Sequence, residues 1–483
     1  MYEDEQNYFK EPEFLEILEK YESSLRNGIP IYMDADELTD IAEYYMLRHK
    51  EKQANEAITL AVQLHPTSVD PQIFLARQEM FHDHLEKAHR ICDAIADQND
   101  REVIFLNAEL LIREQQVAKA CQLLENISEK LEEGKTMFIY DCAGIFMDYA
   151  LWDKALEWTE RILAQNAKHL DALLIKSEAM LMKGEYKEVI EQLNHLLDQD
   201  PYLTIAWNLL AEAQGATGLY QEAIESVEYV LAIDEHNRRA LLTKANCLFH
   251  LNHLEEAHTL YQAFMKANEE DDTICYLDAV CLAQLERYSE AADLLERANE
   301  IGDCMSREQF NIYMQQMHVE SHLHHLEKAI TALQNAMELA PEGFTPDYEL
   351  LLGHIYLENG YYAEAEQCFE WALDKSKDKR ATMLMIGVAF AESQHYSEAL
   401  KVLNAMVQMF GDEKGYSAKP YLAYCYYQTG DNQKFLQNLK EAVSNSRETT
   451  ELLFSTIFPD ILPDEYYLYA FKATYGRFPE VNE

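Results

Sequence analysis

One spacing constrains this chain more than any other property of it. A small or apolar residue returns at Ala54, Ala88, Ala120, Ala155, Val189, Ala223, Ala257, Ala291, Ala329, Ala365, Ala399 and Phe435. The intervals are 34, 32, 35, 34, 34, 34, 34, 38, 36, 34 and 36 residues, so twelve copies of one unit are expected. Two further columns keep the same register. Twelve positions earlier stand Ala42, Ala76, Ala108, Ala143, Ser177, Ala211, Ala245, Ala279, Met317, Gly353, Gly387 and Ala423, small in every unit but the ninth. Seven positions later every unit carries an apolar residue, from Ala61 and Ile95 to Met406 and Ala442. Local units that repeat in this way stack on their neighbours and need no single large core.

The stretch Tyr202 to Asn237 shows what one unit holds. Trp207, Leu210 and Ala211 fall at helical spacing, and after Gly218 the spacing resumes through Tyr220, Ala223, Ile224, Val227, Val230 and Leu231. Two amphipathic helices joined by a tight turn are predicted. Ala211 and Ala223 are small where the helices must approach, and Gly218 supplies the permissive backbone of the turn.

This pattern resembles the tetratricopeptide repeat. Trp207, Ala211, Gly218, Tyr220 and Ala223 match the family's unit once, and Leu352, Gly353, Tyr356, Gly360, Tyr362, Ala365, Phe369 and Ala372 match it again. The turn glycine is kept only at Gly184, Gly218, Gly360 and Gly430, and the closing proline only at Pro66, Pro201 and Pro341. The resemblance implies an all-α fold, an α-solenoid in which helix-turn-helix units form a right-handed superhelix. It also implies a concave groove lined by the first helix of each unit, with a protein or peptide segment as partner. Carried over unit by unit, the position after the small residue gives Glu43, Arg77, Glu109, Glu178, Glu212, Asn246, His318 and His354 as groove residues. Tyr424 holds that position in the last unit; Phe105, Tyr140, Asn208 and Tyr276 come from three residues before the small one, and His322 from the turn after it. The groove so drawn is acidic in the N-terminal half and aromatic in the C-terminal half, and it suits a basic, apolar segment.

Three regions follow. Residues 1–33 are expected to form an N-terminal helical cap, 34–447 the repeats, and 448–483 a C-terminal helical cap. The first cap has Pro12 in its first turn, an apolar face of Phe14, Leu15, Leu18, Tyr21 and Leu25, and Gly28 at its end. Asp34 with Glu37 offers a capping box at the start of the repeats. Residues 341–346 and 411–415 read as longer loops. At the other end, helices are predicted over 449–458 and 464–475, and Tyr466, Tyr467, Tyr469, Phe471, Tyr475 and Phe478 either cover the last core or form a docking surface.

Charge removes several function classes. Against 40 Lys and Arg stand 86 Asp and Glu, a formal net charge of -46. Nucleic-acid binding depends on clustered basic side chains that displace counterions, so nucleic acid is not expected as a partner. An anionic membrane would repel the chain, and no apolar run is long enough to insert. The acidic start Met1–Glu5 leads into no apolar stretch, so no secretory signal is expected. Nine cysteines without a Cys-x-x-Cys pair fit a reducing, cytoplasmic location; Cys92, Cys142, Cys247, Cys275, Cys281 and Cys425 fall in or beside inward-facing columns.

No catalytic motif stands out, and no cofactor is expected. Gly134-Lys135-Thr136 lacks the earlier glycine and the preceding strand of a phosphate loop. His318, His322, His324 and His325 crowd the ninth unit, which also has the longest interval and the bulky Met317. That cluster reads first as an irregularity of the stack, then as a ligand-contacting patch, and last as a metal or enzymatic site. The expected function is a non-catalytic scaffold for protein or peptide partners. The alternative is self-assembly through the capping helices, and the oligomeric state is open.

Overall fold

A computed structural model describes residues 8–9, 11–28, 31–48, 50–267, 271–301, 307–340, 348–412, 417–459 and 461–479. The acidic start Met1–Glu5, Pro341, the 341–346 loop and residues 413–415 lie outside the described residues. Every long element among those described is an α-helix. The chain divides into two compact units, Met1–Leu251 and Asn252–Glu483.

In the first unit α1 (Pro12–Asn27) precedes alternating helices. The first members of the pairs are α2 (Ala35–Met46), α4 (Val69–Phe81), α6 (Arg101–Arg113), α8 (Lys135–Asp148), α10 (Leu170–Met182), α12 (Thr204–Ala216) and α14 (Arg238–His250). Between them run α3 (Glu51–Leu64), α5 (Leu85–Ala94), α7 (Val117–Lys130), α9 (Trp152–Leu163), α11 (Tyr186–Leu197) and α13 (Tyr220–Ile233). Each first helix touches the next first helix as well as its own partner, as α2 touches α4 and α4 touches α6. The first helices therefore form an inner layer, and the second helices an outer one.

The second unit repeats this plan. After α15 (Leu254–Ala267) the inner helices are α16 (Asp272–Gln284), α18 (Arg307–His322), α20 (Tyr348–Glu358), α22 (Lys379–Glu392) and α24 (Lys419–Thr429). The outer ones are α17 (Tyr288–Ile301), α19 (Leu326–Glu338), α21 (Tyr362–Lys375), α23 (Tyr396–Phe410) and α25 (Asn432–Asn445); α26 (Arg447–Phe454) and α27 (Tyr466–Tyr475) follow.

The register columns explain the packing. All twelve anchors are almost wholly buried, Ala54 through Ala399 at 0% exposure and Phe435 at 3%. The small column meets them. A Cβ added to Gly387 would lie 2.4 Å from Leu403 Cδ2, and one on Gly353 2.5 Å from Phe369 Cε1, so at these positions the two helices leave no room for a methyl group. Met317 is accommodated only in part, half-buried against Ala329, Leu333 and Ile355.

The turns differ from the sequence-based expectation in an instructive way. Five residues before each anchor from Ala88 to Phe435 the backbone is left-handed whether or not glycine is present. Besides Gly184, Gly218, Gly360 and Gly430, positive φ occurs at Asp83, Gln115, Ala150, Asn252, Glu286, His324 and Gln394. Loss of the turn glycine has thus not changed the turn. Stacking of the flanking helices holds each of these residues in a conformation that costs an L-residue roughly 1–2 kcal/mol.

At the ends the helices have their own apolar faces. Phe14, Leu18 and Tyr21 of α1 join Leu38, Ile41 and Ile58 in one core cluster, while Leu15 and Leu25 are exposed. Gly28 ends α1 with φ 65°, and the Asp34 N–H donates to Glu37 Oε2 at 3.0 Å. Of the C-terminal aromatics, Tyr466 and Phe471 enter a cluster with Phe454, Phe458, Leu422 and Leu436, whereas Tyr469, Tyr475 and Phe478 remain exposed.

Candidate functional site

The inner layer of the first unit holds two adjoining concavities. One, about 570 Å³, is lined from α2, α4 and α6 by Asp36, Thr39, Asp40, Glu43, Met46, Asp70, Ile73, Phe74, Arg77, Gln78, Phe81 and Glu102. The next, about 730 Å³, runs from α4 to α8 and shares Arg77, Phe81 and Glu102 with the first. Five carboxylates and one guanidinium line the smaller hollow. Phe81 stands between the two with 77% of its surface exposed.

These carboxylates crowd one another. Burial raises the Asp70 pKa, and the hydrogen bond and charge of Asp36 raise it further. Asp40 is raised chiefly by burial, against the effect of the Tyr8 hydroxyl that donates to it at 2.6 Å. A cation placed here would relieve both burdens.

Arg77 does not fill that role for the whole cluster. Its guanidinium grips Glu109 through Nε at 3.2 Å and Nη2 at 2.8 Å, with Glu102 at 3.6 Å. Burial alone would lower the Arg77 pKa; the Glu109 carboxylate outweighs it and the pKa is raised. In the larger hollow Arg101 pairs with Asp141, and Arg113 donates to the Met80 carbonyl at 3.0 Å. The larger hollow is therefore close to charge balance, and the unbalanced negative charge sits between α2 and α4.

The residues named from sequence divide into three groups. Glu43 and Arg77 line the acidic hollow. Glu109 is 8% exposed and committed to Arg77. Glu178 and Glu212 are both held by Arg239, whose Nη2 donates to Glu212 Oε2 at 2.8 Å and whose Nη1 reaches Glu178 Oε1 at 3.5 Å. Two of the named residues lie deeper than the resemblance implies. Asn208 is 1% exposed and donates to Asn237 Oδ1 at 3.3 Å, so it ties α12 to the start of α14. Phe105 is 4% exposed and stacks on Phe138 at 5.2 Å, so it is core that only floors the hollow. At about 100° per residue, three positions back is only about 60° around the helix from the small residue, nearer the core than the position after it. Tyr140, Asn246 and Tyr276 are half-buried.

The signal that would have found the rest is the heptad. Six positions before the small residue lies on nearly the same stripe as the position after it, and there stand Asp36, Asp70, Glu102 and Arg239.

In the second unit the four clustered histidines separate. His324 occupies the left-handed turn, and His325 bonds Glu320 at 2.7 Å. His318 and His322 stay together with ring centroids 4.5 Å apart, and Tyr288 stacks on His322 at 4.6 Å. They are joined from α20 by His354, whose Nε2 lies 3.4 Å from Glu358 Oε1; His322 Nε2 lies 3.9 Å from the same oxygen. Glu392 of α22 is 3.8 Å from His354. His318 is exposed at its surface, and desolvation by the atoms around its ring, followed by the neighbouring His322, lowers its pKa. Among the described residues no three such side chains are placed to hold a metal ion. Tyr424 lies further along, against Tyr396 at 6.1 Å.

Comparison with known families agrees with this architecture. Residues 148–230 and 216–298 match the family described as anaphase-promoting complex, cyclosome, subunit 3, and residues 350–414 match a tetratricopeptide repeat family. This is a tetratricopeptide-repeat protein. Members of this family are typically protein-interaction scaffolds.

Among solved structures, a tetratricopeptide-repeat protein from Parabacteroides merdae is 14% identical, with 52% of this chain and 97% of that chain covered and a TM-score of 0.41. YrrB, a repeat protein with an unusual peptide-binding site, is 17% identical over 43% of this chain and 97% of that one, at 0.34. A chain of the anaphase-promoting-complex assembly Cut9-Hcn1 is 14% identical over 92% and 98%, at 0.33. No curated protein matches the repeat chain. No helix among the described residues is long and apolar enough to cross a membrane.

Proposed function

We propose that this repeat protein is a non-catalytic scaffold whose first unit takes an extended protein segment with basic and apolar side chains along its inner layer. The observation that carries the reading is the hollow between α2 and α4. Asp36, Asp40, Glu43, Asp70 and Glu102 surround it, Arg77 is the one cation among its described lining residues, and Ile73, Phe74 and Phe81 give it an apolar floor and rim. A lysine or arginine would neutralise the excess carboxylates while its neighbours packed on Phe81. Distant carboxylates of the same chain, at a net charge of -46, would speed encounter with a basic partner and lose that effect as salt rises. The buried thiols of Cys92, Cys142, Cys247, Cys275, Cys281 and Cys425 fit a reducing cytoplasmic setting.

The test is selection from a random-peptide display library on the full chain, with an Asp36→Asn, Asp70→Asn variant in parallel. Selected peptides should combine Lys or Arg with apolar residues and should lose binding to the variant. Enrichment of acidic peptides, or equal binding to both proteins, would remove the reading.

Self-association through the terminal segments is a second reading, favoured by the exposure of Leu452, Leu462, Leu468, Tyr469, Tyr475 and Phe478. Sedimentation velocity over a range of concentrations separates the two.

A further inference from the structure

The second unit contains a small pocket of different chemistry, where α22 ends, α23 begins and α24 and α26 pass. It encloses about 170 Å³, and its walls are Ala391, Glu392, Gln394, Tyr396, Tyr421, Tyr424 and Leu453. Three of these seven are tyrosines. The Tyr396 and Tyr424 rings lie 6.1 Å apart with planes 71° from parallel, so the aromatic wall turns a corner between them. Tyr424 is held from behind by Phe454, which is fully buried and 6.2 Å away, edge to face. Among the described residues Glu392 is the only charged side chain in the lining, and no lysine or arginine shares it.

We propose that this pocket binds a methylated ammonium group, the head of a tertiary or quaternary amine. Aromatic faces attract a cation through their quadrupoles, and the Glu392 carboxyl, whose pKa burial raises, stands at the same place, where a bound cation would favour its ionised form. A primary ammonium would bring three N–H donors that each need an acceptor. Here Glu392 is the one carboxylate among the described lining residues and also lies 3.8 Å from His354, so the remaining acceptors are neutral oxygens. A methylated ammonium carries its charge behind apolar methyl groups and loses little on leaving water. The size agrees: at about 30 Å³ of liquid per water, the space equals roughly five or six waters, the bulk of a methylene and a trimethylammonium head. Burial and the charge of Glu392 both raise the Tyr421 pKa, which keeps its ring neutral and its face electron-rich. The pocket belongs to the second unit, so the proposal does not depend on the acidic hollow of the first.

The experiment is calorimetric titration of the full chain with Nα-acetyl-trimethyllysine amide. The same amide of unmodified lysine, choline, and the neutral analogue with a tert-butyl group in place of trimethylammonium are run beside it. The pocket predicts saturable binding of the trimethylated probe, at least ten-fold weaker binding of the neutral analogue, and weaker binding of unmodified lysine. Tyr421→Leu should lower affinity at least ten-fold. Glu392→Gln, a change at a side chain 56% exposed, should lower it several-fold without disturbing the fold. Choline binding as tightly as the amino-acid probe would assign the site to free quaternary amines, and weaker choline binding to a modified lysine side chain. Equal affinity for the neutral analogue, tighter binding of unmodified lysine, or no saturable binding would overturn the proposal.

Discussion

Two glycines inside helices should respond to the same substitution with opposite signs. At Gly387 of α22 an added Cβ would lie 2.4 Å from Cδ2 and 2.5 Å from Cγ of Leu403. Carbon atoms pack comfortably at about 3.5–4.0 Å, so the overlap exceeds ~1 Å. Leu403 is at 0% exposure and has no open space to move into. Overpacking of this kind costs about 1–3 kcal/mol, against about 1 kcal/mol gained when alanine replaces glycine in a helix. Gly387→Ala should therefore destabilise α22 and α23 by ~0–2 kcal/mol. Gly215 of α12 meets only Cys247 Sγ, at an ordinary 3.6 Å, so Gly215→Ala should stabilise by about 0.5–1 kcal/mol. Stacked arrays need not unfold in one step, so the proper assay is amide hydrogen exchange read helix by helix. Slower exchange in α22 and α23 of Gly387→Ala, equal to the slowing in α12 of Gly215→Ala, would refute the idea that the small column sets how closely the paired helices approach.

Other expectations follow from the groove and the turns. Arg77→Met leaves the Glu109 carboxylate, 10% exposed at its side chain, without its partner. Because Arg77 itself is 43% exposed, the loss should be ~1–3 kcal/mol rather than the larger figure for a wholly buried pair, and Arg77→Met with Glu109→Gln should recover most of it in the hydrogen exchange of α4 and α6. Ala150 sits in the left-handed turn at φ 54°, so Ala150→Gly should slow exchange in α8 and α9 by the equivalent of up to about 1 kcal/mol. His318 is held below the ordinary histidine pKa by desolvation from the atoms packed about its ring and by His322. Its contribution to stability is complete above the unfolded value of about 6.5 and is lost as pH falls through the window beneath it, because the unfolded chain there binds more protons. The hydrogen-exchange protection of α18 in His318→Asn should accordingly fall less than that of the wild type on acidification, once both are corrected for the intrinsic pH dependence of exchange.

The period made the fold legible because it is written in residue size. Ala211 and Ala223 are small for a geometric reason that any helix pair must meet, and the columns they belong to are buried as spacing predicts. The turns were less legible. Composition shows that glycine is missing at Gln115 or Glu286, but only backbone angles show that the left-handed turn survives without it. The groove was harder again. Glu178 and Glu212 read as free acidic positions until Arg239, 61 and 27 residues away, closes on them, a pairing no local pattern contains. Asp36 and Asp70, which do line a hollow, lie one heptad before the positions that resemblance to the family singles out. Glu358 and Glu392 come from the helix ends, where His354 meets both.

The proposed scaffold holds a basic, apolar segment on its inner layer between α2 and α6. The direct measurement is a hydrogen-exchange footprint of a display-selected peptide on the full chain, at low and high salt. Protection confined to α2, α4 and α6, weakening as salt rises, is the predicted result. Protection centred on the outer helices α3, α5 and α7, or binding indifferent to salt, would contradict it.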